Sequence, residues 1–101
     1  MMVTVFRSRV RPENAEEYQT MAAKMKELAA AMPGYRSHKT FIAEDGERCT
    51  IVEFESEETH RAWAEYPPHR KAQQLGRERF YSEFSVHVCE ALKSNAFKRD
   101  A

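Results

Sequence analysis

The sequence has few of the residues that mark several classes of small protein. Of its 101 residues only two are cysteine, Cys49 and Cys89, and they form no CxxC pair, so neither a disulfide framework nor a zinc knuckle is expected. Glycine (3) and proline (4) are also scarce, which together with 42% hydrophobic residues indicates a globular chain, not a disordered or fibrous one. A chain of this length fits one domain.

An excess of charge of one sign and long apolar runs are missing as well. Sixteen Lys and Arg balance sixteen Asp and Glu, whereas nucleic-acid binding draws on a surplus of basic side chains on one face. No run approaches the roughly 18 apolar residues of a membrane-spanning helix. The stretch from Met1 to Val10 lacks the basic start and the apolar core of a signal peptide. We therefore expect a cytoplasmic protein that binds neither nucleic acid nor membrane.

Hydrophobic periodicity predicts four strands and three helices. Partly alternating β-branched and aromatic residues mark the strands, and apolar residues spaced three or four apart mark the helices. Asp45-Gly46 supplies the positive φ of a tight turn, so the two central runs are expected to pair as a hairpin. Asn14 is expected to cap the first helix. The predicted strands are 2–10, 35–43, 48–55 and 80–92, and the predicted helices run from about 14 to 32, 56 to 65 and 68 to 79.

This order of elements predicts a split βαβ, or ferredoxin-like, α+β fold, a four-stranded antiparallel sheet with helices on one face. Residues 2–92 form the predicted domain, and residues 93–101 form a polar C-terminal tail. Both faces of the sheet carry apolar residues; on the last strand, Phe84 is expected on one face and Tyr81 on the other. Helices cover only one face, so we expect the sheet of a second copy to cover the other, giving a homodimer.

Five short segments carry the most specific pattern in the sequence. They are Phe6 to Pro12, Met32 to Tyr35, Glu44 to Glu47, Val52 to Ser56, and Trp63 to His69. In this order and spacing they resemble the antibiotic biosynthesis monooxygenase domain, a branch of the dimeric α/β-barrel superfamily. The resemblance covers Met2 to about Leu92 and implies a dimeric barrel with a small pocket between helices and sheet in each subunit. Members oxygenate phenols or quinols without metal or flavin, degrade haem, or isomerise small molecules.

The chain departs from the residue patterns of two branches of this family, the haem-degrading and the phenol-oxidising branch. The haem-degrading branch has Asn on strand one and a haem-ligating His ten residues past its Trp, where this chain has Ser8 and Gln73. Gln cannot replace imidazole as a ligand of iron. The phenol-oxidising branch has Tyr six residues past its Trp, where this chain has His69. His69 keeps a polar, proton-handling group at that position. Through its phenol- and quinol-oxidising members, the resemblance implies a monooxygenase that uses neither metal nor cofactor and acts on a small aromatic substrate with O2.

Six residues are candidates for the site. His69 is expected to be a neutral general base, because the positive end of a helix dipole disfavours imidazolium. Ser8 is the second catalytic candidate, as a hydrogen-bond donor to the substrate. The structural alternatives are a half-exposed histidine and a solvated hydroxyl, and for the aromatic residues they are core packing. The candidate substrate-binding residues are Trp63, Phe6, Tyr66 and Phe80.

Several other interpretations stay open in the sequence. His38 and His87 lie on strands among polar residues and are expected at the surface or at a dimer interface. The basic residues near the third helix are expected to form a solvated face, with attraction of an anionic substrate as the alternative; they are Arg70, Lys71, Arg77 and Arg79. An isomerase or a non-catalytic small-ligand-binding protein on the same scaffold are the alternative functions, and the sequence does not distinguish among these.

Overall fold

The computed structural model describes residues 1–100, which form a four-stranded antiparallel sheet with helices on one face. The strands are β1 Met2–Val10, β2 Tyr35–Ile42, β3 Arg48–Phe54 and β4 Tyr81–Glu90. The helices are α1 Ala15–Ala30, α2 Glu57–Ala64 and α3 Pro67–Leu75. A 3-10 turn, Pro12–Asn14, precedes α1, and a π-helical turn, Gly76–Phe80, follows α3. None of these helices is long and apolar enough to cross a membrane.

The strand order is β2-β3-β1-β4, and all three strand pairs are antiparallel. This is the ferredoxin-like α+β arrangement that the sequence predicts, and the prediction is confirmed. The β2–β3 hairpin turns at Gly46, whose φ of 90° lies in the left-handed region that glycine adopts without strain. All four strands supply the floor on which the site is built, and β4 contributes the most residues to it.

Two helix starts show where local sequence determines structure and where it does not. Ser56 Oγ accepts a hydrogen bond from the backbone N–H of Thr59, and Thr59 Oγ1 accepts one from the N–H of Ser56, each at 3.1 Å. This reciprocal cap fixes the start of α2. The predicted cap by Asn14 was wrong, because its side-chain amide instead donates to the carbonyl of Arg79 at 2.7 Å. A tertiary contact therefore replaces the local one.

The start of β4 departs from the predicted alternation. Arg9 pairs with Glu83 but Val10 pairs with Tyr81, so Ser82 is the extra residue of a bulge. The bulge shifts the alternation by one residue and turns Tyr81 to the same side as the later apolar residues of the strand. The prediction that Tyr81 lies on the opposite face from Phe84 was therefore wrong.

The helices pack on β2 and β3, and the core lies beneath them. Phe54 is fully buried and Trp63 is 4% exposed, both in contact with α1 residues. The opposite side of the sheet, which we call the open face, has no helix over it. Its apolar residues are Val3, Val5, Phe41 and Ile51.

Candidate active site

A cavity of about 370 Å³ lies between the helices and the helix-facing side of the sheet. All four strands and all three helices contribute to its lining, which is mainly apolar and includes no Asp or Glu among residues 1–100. Its volume falls in the range of about 300–1,000 Å³ typical of small-molecule sites. The cavity lies where the sequence resemblance implies a pocket, between the helices and the sheet.

Trp63 and His69 form a stacked pair on the wall of this cavity. Their ring centroids are 4.1 Å apart and the ring planes are inclined by 13°. Between them α2 ends at Ala64, and Pro67 opens α3 at a helix position where the N–H that proline lacks is not needed. His69 Nδ1 then lies 3.1 Å from the backbone carbonyl oxygen of Trp63. Both the ring and its hydrogen bond are thus fixed by the α2–α3 turn.

That hydrogen bond determines which nitrogen of His69 carries the proton. A carbonyl oxygen only accepts, so Nδ1 donates and Nε2 of the neutral ring keeps its lone pair. Burial lowers the pKa of His69 below its usual 6.5, although the bond to the Trp63 carbonyl raises it, and the nearby His38 and His60 lower it further. At neutral pH the imidazole is therefore uncharged and able to accept a proton at Nε2.

Three of the six sequence-predicted site residues line the cavity: Trp63, His69 and Phe6. Tyr66 does not line it and instead packs against Trp63, with ring centroids 6.1 Å apart. The other two residues, Ser8 and Phe80, do not line it either.

Ser8 and Phe80 are buried outside the cavity lining. Ser8 is 2% exposed and lies two residues beyond Phe6 on the same face of β1. Phe80 is 1% exposed and packs edge-on against Tyr18, which does line the cavity. The structure therefore does not bring these two side chains to the space that a ligand would occupy.

His60, which the sequence analysis did not single out, also lines the cavity. Its Nε2 lies 3.1 Å from Thr4 Oγ1, and burial lowers its pKa. His60 precedes Trp63 by three residues, the spacing of neighbours on one helix face, and that spacing was the available signal. The site thus has a second neutral imidazole close to the stacked pair.

His38 is a third histidine in the lining. It was expected at the surface or at a dimer interface, and that prediction was wrong. A register shift at Arg36 pairs His38 with Val52, whose side chain faces the helices. Burial lowers the pKa of His38, and its Nδ1 is buried with no hydrogen-bond partner among residues 1–100.

No three His, Cys, Asp or Glu side chains in that range are arranged to hold a metal ion.

An aromatic cluster forms another part of the cavity wall. Phe6 lies 5.4 Å from Tyr81 and 5.6 Å from Phe84, centroid to centroid, and Tyr18 lies 5.7 Å from Tyr81. Burial and the neighbouring phenol of Tyr18 raise the pKa of Tyr81 above its usual 10, so it stays protonated at neutral pH. A Cβ at Gly76 would stand 2.5 Å from the Tyr81 ring, so glycine is what lets the π-helical turn rest on this cluster.

Comparison with known proteins identifies the family. The sequence profile of the antibiotic biosynthesis monooxygenase family matches residues 1–75, and the chain belongs to this family. The uncharacterized protein YqjZ of Bacillus subtilis (strain 168) is 27% identical over 93 residues, which cover 92% of this chain and 82% of YqjZ. The resemblance drawn from the sequence is confirmed.

Solved structures share the fold. Rv0793 from Mycobacterium tuberculosis matches with a TM-score of 0.83 at 18% identity, over 94% of this chain and 98% of that one. SnoaB from Streptomyces nogalater, a cofactor-independent oxygenase, matches with a TM-score of 0.76 at 17% identity, over 92% of this chain and 94% of SnoaB. At these identities the likeness extends to the fold alone.

Proposed function

We propose that this chain is a cofactor-independent monooxygenase that oxidises a small aromatic phenol or quinol with O2. The observation that carries the proposal is the stacked His69–Trp63 pair, a neutral imidazole held in a mainly apolar cavity. A free Nε2 suits a general base, and flat aromatic walls suit an aromatic ring. Membership of a family that includes monooxygenases, and a fold shared with SnoaB, support the proposal.

The first step is removal of the substrate's hydroxyl proton. The proton passes to Nε2 of His69, and the bond from Nδ1–H to the Trp63 carbonyl stabilises the imidazolium that forms. The product is a phenolate, which gives up an electron far more readily than the neutral phenol does. His69 thus sets the substrate's reactivity toward oxygen.

Oxygen then reacts with the phenolate itself. Ground-state O2 is a triplet and the phenolate a singlet, so one electron passes first, and the phenoxyl radical and superoxide recombine as a C–O bond at a ring carbon. The peroxide takes back the proton from His69, and the ring carbon loses its hydrogen as water departs. Phenol and O2 therefore give quinone and water, with one oxygen atom in each product and no external reductant.

The remaining site residues hold the ring and exclude water. Trp63 and Phe6 are assigned to the walls that contact the substrate, since both line the cavity. A mainly apolar cavity around the ring limits contact with water and keeps superoxide beside its radical partner until they recombine. Tyr66 and Phe80 do not line the cavity, so their proposed role is to position the residues that do. Ser8 has the same proposed role through its place beside Phe6 on β1.

Replacing His69 by glutamine tests the proposed base. Glutamine keeps a hydrogen-bonding side chain but accepts no proton near neutral pH, so O2 uptake with quinols and polyphenols should fall by roughly 10²-fold. The matched control is Arg61→Gln, an exposed position on α2 outside the cavity lining, which should retain full turnover. Unchanged uptake in His69→Gln would remove His69 from the mechanism.

Product formation measured with and without oxygen separates a monooxygenase from the two alternative functions. An isomerase keeps its turnover when oxygen is removed, whereas a monooxygenase loses it. A non-catalytic binding protein would be stabilised against thermal unfolding by its ligand and would form no product in air.

We further propose that two copies of the chain assemble through the open face. Phe41 is 48% exposed there, beside the half-buried Val3, Val5 and Ile51 of the central strands. A second sheet laid on this face would cover these side chains and form the dimeric α/β barrel that the family resemblance implies. The cavity lies on the other side of the sheet, so each copy keeps its own site.

A further inference from the structure

Among residues 1–100, the cavity lining carries positive charge and no negative charge. Among residues 1–100 it includes no carboxylate, and Arg77 is its one side chain that carries a charge at neutral pH. The guanidinium carbon of Arg77 lies 5.3 Å above the ring centroid of Phe84. No carboxylate of these residues lies within 4 Å of Arg77, whereas Arg79, two positions on, pairs with Glu17 at 2.7 Å. Arg77 therefore brings an unpaired positive charge to the cavity.

The backbone around Arg77 is a π-helical turn, Gly76–Phe80. Such turns are rare in proteins as a whole, and those that occur are often found at functional sites. The turn rests directly on the Tyr81 ring, because Gly76 has no Cβ to hold them apart. Arg77 follows Gly76 directly and lies on the cavity wall.

Arg77 and His69 lie along one helical face of the cavity wall. His69, Gln73 and Arg77 are spaced by four residues, and all three line the cavity. At 1.5 Å per residue, eight residues separate His69 from Arg77 by roughly 12 Å along the axis. A ligand that reaches both side chains from between these two backbone positions is therefore elongated.

A basic groove continues from Arg77 to the outside of the helix. Its lining is Arg70, Lys71, Gln73, Gln74 and Arg77. Gln73 and Arg77 belong to both the groove and the cavity. The nearest carboxylate of Arg70 is that of Glu65, at 4.0 Å. An anion approaching from solvent thus meets positive charge before it reaches the cavity.

Building on the proposed function, we infer that Arg77 is a specificity-determining residue and that the substrate is an elongated aromatic phenol with a carboxylate at the end remote from its hydroxyl. The hydroxyl end lies at His69 and the carboxylate at Arg77. A guanidinium binds a carboxylate through two parallel N–H···O bonds, and its position over Phe84 leaves those N–H edges free. A neutral phenol of the same shape lacks this contact.

Binding measured without oxygen tests the inference independently of turnover. Suitable probes are biphenyl-4-ol and 4′-hydroxybiphenyl-4-carboxylate, which share one shape and differ only in the remote carboxylate. By anaerobic calorimetry we expect the wild-type protein to bind the carboxylate roughly tenfold more tightly. This preference should disappear in Arg77→Gln, persist in part in Arg77→Lys, and weaken as salt is added. The control Arg79→Gln, in the same turn but outside the cavity lining, should keep it.

The outcomes separate this inference from the proposed function. Equal affinity of the wild-type protein for the two probes, or a preference that survives in Arg77→Gln, overturns the inference and leaves the monooxygenase proposal standing. Failure of the carboxylate probe to bind also overturns it, and oxygen-dependent turnover of neutral quinols would then show that the proposed function holds alone. Thermal unfolding of each variant shows that it is folded.

Discussion

At the scale of single residues, His69 shows how burial fixes the chemistry of a side chain. The sequence predicts a neutral ring from the dipole at the start of α3. In the structure the largest cause of the lowered pKa is burial against the stacked Trp63, with His38 and His60 adding to it. Periodicity could not predict the stacking, because it depends on the α2–α3 turn. His69 is therefore neutral, as the sequence predicts, but the main cause is burial and not the helix dipole.

The pH dependence of turnover follows from this lowered pKa. A general base acts only when neutral, so kcat/KM should be flat at neutral pH and should fall as the pH drops through the pKa of His69, which lies below 6.5. His38 and His60 also have lowered pKa values, and each, once protonated, opposes protonation of His69, so the fall should be spread over a wider pH range. Folding stability should decline over the same acid range, since the unfolded chain binds those protons more readily.

The measurement is the pH profile of kcat/KM for the wild-type protein with one quinol. A profile that breaks above pH 6.5 would contradict the assignment of a buried, neutral His69. Tyr81 also lines the cavity, but its raised pKa keeps it protonated over this range, so it adds no break of its own.

At the scale of secondary structure, elements with a local cause were predictable and irregularities were not. The hairpin at Gly46 and the cap at Ser56 follow from neighbouring residues. The bulges at Arg36 and Ser82 and the π-helical turn from Gly76 have no periodic signature, because each is an interruption of a period. These interruptions aim His38, Tyr81 and Arg77 into the cavity, so these three parts of the site depend on them, whereas His60 lies in the regular helix α2.

The open face of the sheet leads to a prediction about assembly. Ile51→Glu would place a carboxylate in the middle of the proposed dimer interface, where burying a charge is unfavourable even with Lys39 opposite it on β2. We expect the wild-type protein to sediment as a dimer and Ile51→Glu as a folded monomer at the same concentration. The control Ala23→Glu, at an exposed position of α1, should remain dimeric. A wild-type protein that sediments as a folded monomer would contradict the proposed assembly.

At the scale of the whole molecule, one face of the sheet lines the cavity and the other is the open face. Alternate residues of β1 point in opposite directions, so Phe6 lines the cavity while its neighbour Val5 lies on the open face. This arrangement was predictable, because a two-sided apolar sheet with helices on one face follows from element order and composition. The sequence left open whether Arg77 faces solvent or an anionic substrate, because that depends on which side chains the fold leaves unpaired.

Oxygen-isotope labelling tests the proposed monooxygenase chemistry most directly. A quinol found in the uptake screen would be turned over under ¹⁸O2, and the product analysed by mass spectrometry after a short incubation. The proposed mechanism predicts one ¹⁸O atom in each product molecule, the other in water, and no product without O2. Product that forms without O2, or whose new oxygen comes from solvent water, would contradict it.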